Sequence, residues 1–255
     1  MSKQLLIYEN AVPISAEHHQ DISIRTGESW AFARDLHSVP LVAAEFEQAG
    51  AEMPVVFAGE GDDLTPVGLL GLEAGENLFL DSDHRWQGRY VPAFLRRYPF
   101  VFASTGENGE TLTLCIDTGF SGVNTEGRGE RLFDADGNRT QYLERMLQFA
   151  SDYQAQHQLT RAFGKRLNQL GILEPAIANI SLPGGRSFTL RGFQRVNREK
   201  LAALSDEVVV DLFRTDMLGL IHFHLASLSQ MNRLLERKQP AVPAPTHASE
   251  QEEPA

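Results

Sequence analysis

The chain has 255 residues, 42% of them apolar and 22% charged, and a formal charge of −11. That composition can bury a sizeable core without disulfides or a structural metal, and its acidity argues against general binding to nucleic-acid backbones. The single cysteine, Cys115, excludes an internal disulfide and fits a reducing cytoplasm. No apolar run near the first residue has the length of a signal peptide, and no window approaches the ~20 apolar residues of a membrane span. A cytoplasmic protein is expected.

In chain order, QLLIYEN and DISIRTG read as two short extended pieces around the Pro13 bend. Pro40 stops what precedes it, and Val42 to Ala51 suits a short helix ending near Gly50. PVVFAG, TPVGLLGL and NLFLD are short apolar runs bounded by turn residues, the form of sheet strands. A short helix is expected around Pro92 to Arg97, then a hairpin of FVFAS and TLTLCID across STGENGE. Residues 117–139 carry five glycines and read as loop.

From Thr140 to Leu170 the apolar spacing turns helical. Leu143, Met146, Leu147, Ala150 and Tyr153 form one stripe, and Leu159, Phe163, Leu167 and Leu170 continue it after a break near His157. Gly171 stands where a C-cap belongs. AIANISLPGGRSFTLRGFQRV reads as a second hairpin. Ser205 can cap a last helical region, which Thr215-Asp216 divides in two. The sum is an α+β fold, with a mainly antiparallel sheet in the first half and helices plus one hairpin in the second. One globular unit over residues 1–239 is expected (β-rich 1–118, helix-rich 139–239). Residues 240–255, with four prolines and three glutamates, read as a disordered acidic tail.

The stretch His84 to Gly106 stands apart. It has no acidic residue, four arginines (Arg85, Arg89, Arg96, Arg97) and six aromatics (Trp86, Tyr90, Phe94, Tyr98, Phe100, Phe102). Pro175 to Arg198 is also acid-free and holds Arg186, Arg191, Arg195 and Arg198. Arginine beside rings can stack on them or grip carboxylates and phosphates with its planar fork. If the two segments adjoin, Trp86, Arg89, Arg96, Arg97, Tyr98, Arg191 and Phe193 would line a basic, ring-walled groove. The plainer alternative is that the arginines pair with the protein's own carboxylates while the rings fill core.

Other patterns say less. Asp81, Asp83 and His84 supply metal-type ligands at a strand end, but no spacing rule supplies the rest of a set, and a polar turn is the simpler reading. His222 and His224, two apart on a helix, point to nearly opposite faces and cannot chelate one ion as a helical pair. His18-His19 is weaker still. Asp134, Asp136 and Asn138 imitate half an EF-hand loop, but Arg139 and Arg145 stand where its glycine and glutamate belong. Cys115 reads as a buried structural thiol. No phosphate loop or nucleophile elbow occurs, and none of these patterns implies a resident cofactor or metal.

LHSVPLVAAEF, PVVFAG, GLEAGENLFLD, RW before YVPAFLRRYPF, LTLCID, LFDADG, TRAFGKRLNQLGILEP, GFQRVNREKLAALSDE and IHFHLASLSQMNRLLER occur in that order over residues 36–237. Together they resemble the SapC family of bacterial proteins, named for a component associated with surface layers. The resemblance implies a context of surface-layer assembly or secretion, near outer-membrane receptors and flavoproteins, and brings no catalytic residue set. The expected function is a cytoplasmic accessory protein that binds a peptide, a protein or a small anionic ligand. A peptide- or amino-acid-modifying enzyme using non-haem iron at Asp81, Asp83 and His84 is the alternative. A third reading docks another chain on the apolar run Leu218 to Leu235, as an oligomer or hetero-complex through the C-terminal helix.

Overall fold

A computed structural model describes residues 7–27, 29–105, 111–181 and 187–238. The tail, the STGENGE turn beyond Thr105, the Pro183-Gly184-Gly185 turn and Arg186 lie outside the described residues, as do the first three residues of QLLIYEN. The elements in order are β1 (Ala11–Pro13), α1 (Ala16–His19), β2 (Ser23–Ile24), β3 (Ser38–Pro40), α2 (Phe46–Gly50), β4 (Val55–Ala58), β5 (Thr65–Leu69) and α3 (Ala93–Arg96). Then come β6 (Phe100–Thr105), β7 (Thr111–Asp117), β8 (Val123–Asn124), β9 (Glu130–Arg131), α4 (Gln141–Leu170), β10 (Leu173–Ser181) and β11 (Ser187–Val196). The chain closes with α5 (Arg198–Ala202), α6 (Asp206–Arg214), α7 (Met217–Ser227) and α8 (Met231–Lys238).

The fold is α+β, and the strand pairings among the described residues are antiparallel. A five-stranded sheet runs β10-β11-β4-β5-β3, so the late hairpin docks onto early strands. β1-β7-β6 and β8-β2-β9 form two three-stranded sheets. Residues 117–139, read as loop, therefore supply two short strands to β2. NLFLD is not a strand. Asn77 Oδ1 accepts the Phe79 amide at 3.0 Å and Asp81 organises a turn, leaving one isolated bridge between Leu80 and Trp86.

α4 is a single helix with no break at His157, capped by the Thr140 hydroxyl at one end and by left-handed Gly171 at the other. Its first half packs Leu143 and Ala150 against Phe100, Leu114 and Ile116; its second half joins the larger core through Tyr153, Phe163 and Leu167. Leu159 is exposed, and Thr160 takes the buried position, its hydroxyl accepting the Ala43 amide at 2.8 Å. Gly164 lets α4 lie close to the 61–64 turn, since a Cβ there would sit 2.6 Å from the Leu64 carbonyl oxygen.

α7 packs on α2, β4 and β11. β11 pairs with β4 at Phe193 and Gln194, and past that point His224 bridges the two strands. Its Nδ1 donates to Val55 O at 2.7 Å and its Nε2 accepts the Val196 amide at 3.0 Å, while Ser227 Oγ accepts the Val55 amide at 2.9 Å. Burial pushes the His224 pKa down to about 4, so the ring is neutral in its donor–acceptor role. His222, two residues earlier, is exposed.

Candidate binding site

Two carboxylates outside the acid-free stretch hold its backbone. Glu45, buried at the start of α2, accepts the Val42 amide (2.8 Å), the Tyr90 hydroxyl (2.7 Å) and the Ala93 amide (2.6 Å). Glu52 accepts the Arg89 amide with both oxygens (2.9 and 2.8 Å) and the Tyr90 amide at 3.1 Å. Backbone N–H groups thus use acids that the arginines were expected to attract.

The arginines have different fates. Arg97 is 3% exposed, with its guanidinium 4.4 Å from the Tyr153 ring centroid, 4.7 Å from Phe94 and 5.7 Å from Tyr8. It is a core cation whose charge is offset partly by ring faces, an interaction stronger once water is excluded. The expectation of a groove-lining Arg97 is corrected, because Tyr8, Phe94 and Tyr153 close around it in the interior. Burial, followed by the charges of Arg161 and Arg97, holds His157 below the ordinary imidazole range. Burial likewise pushes Tyr153 up to about 12. Arg96 is exposed, donates from Nε to Val91 O at 2.9 Å, and lies over Tyr90 and Phe149 at 5.6 and 5.3 Å. The Arg89 side chain is exposed.

Arg191 is exposed on β11 and Phe193 is buried there, 6.4 Å from the His37 ring. Among the described residues no ring or polar contact ties either one to Trp86, Arg89 or Arg96. Arg195 pairs with Glu174 at 2.8 Å. Of the residues expected to line a shared groove, Arg97, Tyr98 and Phe193 are buried, and Arg89, Arg96 and Arg191 are exposed.

Trp86 does face a cavity. Asp81 Oδ1 accepts the Asp83 and Arg85 amides at 2.9 and 2.8 Å, Oδ2 accepts Gln87 Nε2 at 2.8 Å, and His84 takes a left-handed φ of 59°. This tight turn presents Arg85 and Trp86 side by side. Trp86 stacks on Phe79 (5.1 Å, 22°) and donates from Nε1 to Tyr90 O at 3.0 Å. The Trp30 amide donates to His84 O at 2.9 Å, which brings Trp30 to 6.3 Å from Trp86. The resulting cleft, about 550 Å³, is lined by Gly27, Trp30, Arg85 and Trp86. Both tryptophans of the chain meet in it.

The rings continue beyond the cleft. Trp30 lies 5.8 Å from Phe32, and Phe32 lies 4.3 Å from Tyr98. Tyr98 borders a second cavity of about 330 Å³ and points its hydroxyl at buried Asp117, 3.4 Å away. Trp30, Phe32 and Phe120 did not stand out in the sequence, although Trp30 was the only other tryptophan and SWAF set two rings two residues apart. A third cavity, between β7 and α4, is edged by Arg139, which pairs with Glu144 at 3.5 Å.

The metal reading meets the same turn. Asp81 spends both oxygens on Asp83, Arg85 and Gln87, and Asp83 pairs with Arg85 at 3.7 Å. Among the described residues no group of three or more His, Cys, Asp or Glu is arranged to hold an ion. Asp134 is a turn residue whose carboxyl is held below the usual range, first by the Asn138 amide. Cys115 is buried on β7, and burial raises its thiol. His19 is buried, with Nδ1 accepting the Ser15 amide at 3.2 Å.

The fold and cleft describe an α+β protein with an aromatic, arginine-edged surface. The SapC family profile matches residues 14–234, most of the chain. The chain belongs to the SapC family. No curated protein and no solved structure matches it. Among the described residues no helix is long and apolar enough to cross a membrane.

Proposed function

We propose that this SapC-family chain is a cytoplasmic accessory protein that binds a peptide, a protein segment or a small anionic ligand, in the service of surface-layer, outer-membrane or transport biology. The observation that carries the reading is the Trp30–Arg85–Trp86 cleft: two half-buried indoles and a guanidinium around about 550 Å³. Indole faces supply large contact area at little entropic cost, and arginine supplies the fork that a carboxylate fits. Arg85 pairs with Asp83 at 3.7 Å with both side chains about two-thirds exposed, a weak contact with which a ligand carboxylate can compete. The surface-layer context comes from the family and not from the cleft. Calorimetric titration with a panel of short acidic peptides tests the reading. Binding should weaken about tenfold or more in Arg85→Ala, the loss of one charge-assisted pair. Equal affinity for the native protein and Arg85→Ala would overturn it.

A second reading, docking of another chain on the C-terminal helices, rests on Phe213 (71% exposed), Phe223 and Val210. Its test is sedimentation of the native protein against Phe213→Ser. An unchanged monomer in both, alone and in host extract, would remove it.

A further inference from the structure

The second cavity differs in character from the Trp30–Arg85–Trp86 cleft. Phe32 and Phe120 stand at 87° with centroids 6.3 Å apart, Tyr98 and Phe120 at 79° and 5.1 Å, and Tyr8 and Tyr98 at 64° and 5.2 Å. All four rings line the cavity, and the angles between neighbours turn their planes in different directions around it. The charged side chains lining the cavity, about 330 Å³, are Glu9 and Asp35, both acidic and both exposed. Asp35 pairs with Arg34 at 3.2 Å, with both side chains largely in solvent, a contact of little energy. Beneath the rings Asp117 is fully buried, accepting the Glu9, Asn10 and Gly119 amides at 2.8, 3.0 and 3.0 Å. Arg97 lies 5.7 Å from the Tyr8 ring but lines no part of the cavity.

Ring faces carry negative quadrupole potential, and carboxylates at the rim and below add to it. Such a site repels an anion. We propose that the cavity walled by Tyr8, Phe32, Tyr98 and Phe120 binds a small organic ammonium ion, with Glu9 and Asp35 as its rim carboxylates. The proposal is independent of the Trp30–Arg85–Trp86 cleft, whose expected ligand has the opposite charge. The volume lies at the lower end of small-molecule sites and suits a trimethylammonium or alkylammonium group.

The test is calorimetric titration of the full chain with choline and with its neutral carbon isostere, 3,3-dimethylbutan-1-ol. Saturable choline binding is expected, with the isostere about tenfold weaker or worse, the size of a desolvated cation–π and ion-pair contribution. Glu9→Gln, on an exposed side chain, should weaken choline several-fold and leave the isostere unchanged. Phe120→Leu keeps an apolar side chain and removes a π face, so it should weaken choline more than the isostere; thermal melts confirm that each variant is folded. Two results overturn the proposal: equal affinity for choline and isostere, or no saturable choline binding at millimolar concentration by folded native protein.

Discussion

Arg85 and Arg97 belong to one 23-residue stretch of rings and arginines, and the fold treats its two ends oppositely. At the Arg97 end the partners come from packed elements (Phe94 on α3, Tyr153 on α4), and the guanidinium is sealed at 3% exposure. At the Arg85 end they come from the Asp81 turn and the Trp30 segment, which leave a cleft beside the two indoles. Composition marks a stretch as unusual; the element that carries each ring decides whether a cation beside it becomes core or surface.

That contrast can be broken by mutation. Arg97→Ala should cost about 3 kcal/mol, because it leaves a void among Tyr8, Phe94 and Tyr153, whereas Arg85→Ala should stay within about 0.5 kcal/mol. Urea melts of the two variants measure the difference, and equal costs would erase the distinction between the two ends.

His224 sharpens it from the interior. Its folded pKa of about 4 lies below the ordinary 6.5, so between those values the unfolded chain binds more protons. Stability is therefore full above pH 6.5 and declines as pH falls towards 4, by about 3 kcal/mol in all. His224→Leu should remove that slope and cost about 2 kcal/mol at pH 7, since Val55 O and Val196 N lose their partner. Melts from pH 7 to 4 check both parts; a native protein with the variant's pH dependence would contradict the assignment.

Gly88 tests the open end more finely. A Cβ there would lie 2.6 Å from Trp86 Nε1 and from a Glu52 carboxylate oxygen, so Gly88→Ala should cost about 1 kcal/mol and shift the Trp86 ring. A melt and the near-ultraviolet dichroism of the variant would show it; an unaltered indole spectrum would mean that the ring is not held as described.

Much of the fold was legible because its signals are local. Thr140 and Gly171 bracket α4, alternating runs mark β6 and β7, and Thr215-Asp216 divides α6 from α7, with Asp216 at a left-handed φ of 58°. NLFLD failed because Asn77 and Asp81 spend their side chains on turns, which outweighs the three apolar residues between them. Leu159 failed because the register of a continuous helix, set by Tyr153 and Phe163, turns it outward. The site was half legible. Trp86 could be named from its company, but its partner Trp30 is 56 positions earlier and arrives through a backbone hydrogen bond to His84, which no local pattern encodes.

The most direct measurement of the central claim uses the chain's own chromophores. Because Trp30 and Trp86 are its only tryptophans and share the cleft, their emission reports on that place alone. Titration with an acidic peptide that binds should shift or quench tryptophan emission along the calorimetric binding curve, and Arg85→Ala should weaken both signals together. Full binding of that peptide with unchanged tryptophan emission would contradict the account.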